Sequence, residues 1–161
     1  MDFETKKVLS KGLGEGYVGK SIRGKADRAG FTLETSDYVG PEGKYHDEWA
    51  AHQNGGGQEL VEASNGNKAT RVYAGGSLSN EELGKLGLTG KDVIGKLVSF
   101  VNEAGGKTRL DEDIQLTDGE WKYAHRVLKS VKEIPVDLSE ETITYKDTLV
   151  FIHFHINSPV R

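Results

Sequence analysis

At 161 residues, with no cysteine and 25 acidic against 21 basic side chains for a formal charge of −4, the chain is sized for one domain spanning 1–161, burying roughly 70% of the surface its unfolded form exposes. The missing thiols exclude disulfides, thiolate metal sites and a cysteine nucleophile, and the acidic balance argues against nucleic acid as a dedicated partner. No apolar run approaches a membrane span and MDFETKKVLSKG lacks the apolar centre of a signal peptide, so a soluble, cytoplasmic protein with no membrane partner and no cofactor is expected.

Taken in chain order, residues 3–13 read as a first helix with a thin apolar stripe of Phe3, Val8, Leu9 and Leu13, ended by Gly12 and Gly14. The glycine-rich stretch 13–24 reads as a loop. Strands are expected over 31–39, 45–52, 58–63 and 69–74, separated by the turn signals Gly40-Pro41-Glu42-Gly43, Asn54-Gly55-Gly56-Gly57 and Asn65-Gly66-Asn67, which makes an antiparallel meander. Ser79-Asn80-Glu81-Glu82 has the form of a capping box opening a short helix closed by Gly87. A longer helix over 89–104 follows, with Val93, Ile94, Leu97, Val98 and Val101 at helical spacing and Gly105-Gly106 as its stop. Strands resume over 120–128, 131–136 and a terminal hairpin, 140–157.

The second arm of that hairpin, 149–156, is the most apolar and β-branched run in the chain. Alternation puts Val150, Ile152, Phe154 and Ile156 on one face and Leu149, Phe151, His153 and His155 on the other. Apolar residues on both faces mark a central strand. The whole is an α+β fold: an antiparallel sheet of six to eight strands with helices on one face. If they cover the Val150, Ile152 and Phe154 face, then Phe151, His153, His155 and Tyr73 look outward. The chain also divides into two α-then-meander halves, about 3–75 and 89–157. Tyr45-x-Asp47-x-Trp49 lines up with Tyr123-x-His125-x-Val127, Gln58-Glu59-Leu60-Val61 with Glu140-Glu141-Thr142-Ile143, and Arg71-Val72-Tyr73 with Phe151-Ile152-His153. Internal duplication and chance likeness of two meanders both account for this.

Gly14-Glu15-Gly16-Tyr17-Val18-Gly19-Lys20-Ser21 satisfies the phosphate-loop string, but no buried strand precedes it and no packable helix follows, so nucleotide binding is not the reading adopted. The basic run Lys20, Arg23, Lys25 and Arg28 reads as a solvated loop. His153 and His155 share one strand face, a geometry some metal sites use. A third ligand would have to come from Glu141, His125 or Asp47, and the spacing selects none of them, so a hydrogen-bonded histidine pair without metal is expected. Glu59 and Glu141 occupy equivalent places in the two halves, where a carboxylate facing an apolar layer would serve as acid, base or ligand anchor. No catalytic triad or paired-carboxylate spacing stands out.

The set Tyr45-x-Asp47-x-Trp49, Gly57-Gln58-Glu59-Leu60-Val61, Tyr73-x-Gly75 and Asp118-Gly119-Glu120-Trp121-x-Tyr123, leading to Glu140-Glu141, resembles an uncharacterised microbial domain family found alone or fused behind a helix-turn-helix in transcriptional regulators. The resemblance implies a sensor or ligand-binding role and no established activity. The function expected is therefore a small-molecule-binding or sensor-type module using Tyr73, Phe151, His153, His155, Glu59 and Glu141. The alternatives are a structural homodimer through the same face, and a small hydrolase or isomerase using Glu59 or Glu141 with a histidine.

Overall fold

The computed structural model describes residues 1–17, 22–51 and 53–161. Nine strands form one antiparallel sheet: β1 (Ile22–Arg28), β2 (Phe31–Gly40), β3 (Gly43–Ala51), β4 (Asn54–Ala63), β5 (Lys68–Ser77), β6 (Ile114–Asp118), β7 (Trp121–Val131), β8 (Val136–Tyr145) and β9 (Thr148–Val160). Their order across the sheet is β1-β2-β3-β4-β5-β9-β8-β7-β6. Two meanders thus run inward from opposite edges and meet where β5 pairs with β9. The apolar arm read from the sequence lies in β9, which has β5 on one side and β8 on the other.

The strand count exceeds the expected six to eight because both edge strands are polar. IRGKADR in β1 and IQLTD in β6 carry no apolar run, and an edge strand pairs on one side only, so it needs none. Conversely, 131–136 is not a separate strand, since β7 ends at Val131, β8 begins at Val136 and the residues between them turn. The loop expected over 13–24 holds a π-helical segment, Gly12–Tyr17, and the start of β1. Residues 18–21, with the end of the phosphate-loop string and Lys20, and His52, at the end of the strand expected over 45–52, lie outside the described residues.

Three helices accompany the sheet: α1 (Phe3–Lys11), α2 (Asn80–Lys85) and α3 (Gly90–Glu103). Ser79 caps α2 by accepting from Glu82 N at 3.2 Å. The reciprocal capping box belongs to α3, where the Thr89 hydroxyl accepts from Asp92 N and Asp92 accepts from Thr89 N at 2.7 Å. That pair satisfies two of the orphan donors of the first turn. Val93, Leu97, Phe100 and Val101 form the buried stripe of α3.

The helices cover the opposite sheet face from the one expected. Val8 and Leu9 of α1 pack with Tyr45, Val61 and Ala69, while Leu97, Phe100 and Val101 of α3 pack with Tyr123, Ile143 and Phe151. The pairings Tyr45–Val61–Ala69–Pro159 and Tyr123–Ile143–Phe151 put both groups on the face that carries His153 and His155. Within β9 the two faces are about equally apolar, so its neighbours decide. Only Phe151 falls in phase with Ile143 and Tyr123 to give α3 a continuous footing. A bulge shifts the register between Ile143 and Thr144, and Val150 joins the same core although simple alternation places it on the other side. The uncovered face carries Val72, Phe154 and Ile156, each 44–48% exposed.

Candidate functional site

Along β9 the covered face runs from one apolar cluster to the other through polar ground: Phe151, then His153, His155 and Asn157, then Pro159 opposite Ala69. Across the sheet this ground widens into a band. Asp47, Glu59, Arg71 and Asn157 stand side by side on β3, β4, β5 and β9, and His125, Glu141 and His153 on β7, β8 and β9. Within each half a glutamate lies between two polar neighbours, Asp47 and Arg71 for Glu59, His125 and His153 for Glu141. Arg71 therefore corresponds in place to His153, two residues beyond the match to Phe151 read from the sequence.

Burying charge is costly unless it is paired, and the band pairs most of what it buries. Glu59 forms an ion pair with Arg71 and accepts from the Tyr45 hydroxyl at 3.0 Å. Glu141 accepts from Arg109 Nε at 3.1 and 3.0 Å, from Arg109 Nη2 at 2.9 Å and from the Tyr123 hydroxyl at 2.7 Å. Burial opposes charge on Glu141, but the Arg109 guanidinium and these hydrogen bonds outweigh it and hold its carboxyl below the ordinary range. Arg109 enters from the segment after α3 with φ 64°, a left-handed conformation that costs a non-glycine residue about 1 kcal/mol or more. Its carbonyl is held there by Arg71 Nη1 at 3.1 Å and Asn157 Nδ2 at 3.3 Å.

Two guanidiniums thus face three carboxyls, and the glutamates take one each. The third acid, Asp47, is 2% exposed and accepts from the Tyr73 hydroxyl at 3.0 Å. Burial, and next the nearby charge of Glu59, push it from its ordinary 3.8 up to about 7, against the pull of Tyr73, Arg71 and Arg109. The histidines move the other way. Burial first, then Arg109, lowers His153 to about 4, and burial lowers His155 and His125 as well. At neutral pH all three are uncharged rings.

Above part of this band, between the sheet and α3, lies a cavity of about 800 Å³. Asp47, Tyr73, His153 and Arg109 line its polar side; Trp49, Phe151 and Ile94 supply apolar surface, and exposed Arg23, Lys91 and Asn80 stand around it. The Tyr73 ring lies 5.6 Å from His153, and the Phe151 ring 4.5 Å. Six of the lining residues are glycines. On α3, Gly95 lines the cavity, and a Cβ there would meet nothing within 4 Å. In the middle of a helix that residue costs about 1 kcal/mol against alanine.

Of the site residues read from the sequence, the structure brings Tyr73, Phe151 and His153 to the cavity. Glu59, Glu141 and His155 are fully buried and do not line it. Glu141, His153 and His155 do converge, with one possible ligand atom each within 4.8 Å of one another. Both oxygens of Glu141 already accept from Arg109, so a cation would have to sit against a guanidinium, which the charge arrangement opposes. In the sequence Asp47 is a candidate only as a metal ligand, and Arg109 and Gly95 do not stand out. A positive-φ arginine in a polar segment carries no periodic signal, and the acid's isolation is visible only once the other charges are paired. Among the described residues, no helix is long and apolar enough to cross a membrane. Comparison of the chain with protein-family models, curated proteins and solved structures finds no match.

Proposed function

We propose that this protein is a small-molecule-binding module whose ligand occupies the cavity between α3 and the sheet. The observation that carries the reading is a cavity of about 800 Å³ that combines three apolar side chains with an acid, a phenol, an imidazole and a guanidinium. Ligand pockets have this size and this mixture. Gly95 supports it, since a helix-interior glycine facing empty space gives up stability and keeps room for an occupant. A ligand here would lay its apolar part against Trp49, Phe151 and Ile94 and turn its polar atoms toward Asp47, Tyr73 and His153.

The test is a thermal-shift screen of small aromatic and alicyclic ketones and acids, on the wild type and on Gly95→Phe. A ligand at a hundred times its Kd adds about 2.7 kcal/mol of stability, and the phenyl group of the variant should abolish that shift while leaving the fold intact. Binding unchanged in Gly95→Phe would place the ligand elsewhere and overturn the proposal. A homodimer is the second reading, supported by the exposed Val72, Phe154 and Ile156 on the uncovered face. It predicts a twofold mass by light scattering that Phe154→Glu reduces to the monomer.

A further inference from the structure

We infer that the cavity is catalytic: Asp47 is a general base that removes a proton from carbon in a small carbonyl compound, with His153 donating to the oxygen that gains charge. The inference rests on the cavity being the ligand site and goes on to name its chemistry. Asp47 is the acid left over when Arg71 and Arg109 have neutralised Glu59 and Glu141. It faces the cavity, and Tyr73 fixes its orientation through a 3.0 Å bond to Oδ1. The same Tyr73 packs its ring against His153, so acid and imidazole stand at the two ends of one side chain with the cavity above both.

The roles follow from the environments. A base is most effective when its pKa lies near the working pH, and burial beside Glu59 brings Asp47 to about 7. His153 is uncharged at that pH. Its Nδ1 is buried with no hydrogen-bond partner among the described residues, and the ring proton is assigned to Nε2. Paired groups whose environments drive their pKa values apart mark the division of labour in proton-transfer sites.

The step balances without a cofactor. Asp47 takes the proton from the carbon next to the carbonyl; the C–H electron pair becomes the C=C bond of an enolate, and the carbonyl π pair moves to oxygen, where the His153 N–H holds it. Where the substrate carries a β,γ double bond, return of the proton from Asp47 to the γ carbon moves the double bond into conjugation and gives an isomer; return to the same carbon gives exchange with solvent. The groups facing Asp47 are Tyr45 on its own strand, Glu59 on β4, Arg71 and Tyr73 on β5, and Arg109. The carboxyls of Asp47 and Glu59 act on one another, so the pH response belongs to the pair.

The test uses 5-nitrobenzisoxazole, a flat probe from which any well-placed base takes the ring C–H proton as the N–O bond breaks, releasing a coloured cyanonitrophenolate. Wild-type kcat/KM should rise with pH through a midpoint near 7 and then level off. Asp47→Asn should lower it at least 100-fold, Gly95→Phe should block it, and Glu62→Gln, a carboxylate outside the cavity lining, should leave it unchanged. Tyr73→Phe removes the hydrogen bond that lowers the Asp47 pKa and should move the midpoint upward. Calorimetry with 5-nitrobenzotriazole, an isostere with no reacting C–H and no N–O bond to break, separates the two readings. If it binds the wild type and not Gly95→Phe, while the benzisoxazole reacts no faster than in buffer or equally fast with Asp47→Asn, the catalytic inference falls and the binding module stands. If neither compound engages the cavity, both fall.

Discussion

Replacing Asp47 by asparagine should make the protein more stable, by a margin that grows with pH. Asparagine keeps an oxygen to accept from Tyr73 and removes a buried carboxyl that has no ion pair among the described residues. In the unfolded chain Asp47 loses its proton near 3.8, and in the folded protein at about 7. Between those values the folded state holds a proton that the unfolded state has released, so stability falls as pH rises. At up to 1.36 kcal/mol per pH unit, tapering as the pH passes 7, the fall between pH 5 and pH 8 is about 3 kcal/mol and is then complete. His153 acts in the opposite sense. Its folded value of about 4 lies below the ordinary 6.5, so the unfolded state binds the extra proton and stability rises between those values, by about 2 kcal/mol from pH 5 to 6.5. His155 and His125, which burial also lowers, add to this rise, so in the wild type the Asp47 slope offsets only part of it. In Asp47→Asn only the rising slope remains. Urea unfolding at pH 5 and pH 8, at fixed ionic strength and followed by tryptophan fluorescence, should show the variant gaining about 3 kcal/mol on the wild type across that interval. A margin that stays constant with pH would mean that Asp47 is ionised throughout, and the account of the unpaired acid would be wrong.

Two further outcomes test the scaffold around that acid. Arg71→Met leaves Glu59 charged and buried without its partner and should cost about 3–5 kcal/mol in chemical denaturation, whereas Arg71→Met combined with Glu59→Gln should recover most of the loss; equal losses in both would show that the pair is not what holds the band. Thr89→Ala removes the side-chain half of the α3 capping box and should cost about 1 kcal/mol, read as a lower urea midpoint with an unchanged slope.

Much of the framework was legible along the chain because it depends on local physics. Turn residues at Gly40-Pro41-Glu42-Gly43 and Asn65-Gly66-Asn67 separate strands, and the spacing of Val93, Leu97 and Val101 makes α3. The central place of β9 followed from its two apolar faces. The polar edges β1 and β6 left no such trace, because a strand paired on one side can be written in loop-like residues.

Which face of β9 the helices cover, and which acid is left unpaired, are properties of neighbours in space. Phe151 is core because Ile143 and Tyr123 stand beside it, while Phe154, no less apolar, is half exposed. Among the described residues Glu59 and Glu141 each pair with a guanidinium and Asp47 with the Tyr73 hydroxyl, and Arg109 reaches Glu141 from 32 residues away in the chain. Hydrophobic periodicity and turn chemistry act between residues close in sequence, so one chain displays them. Desolvation and Coulomb pairing act between residues close in space, and only the folded sheet brings those together.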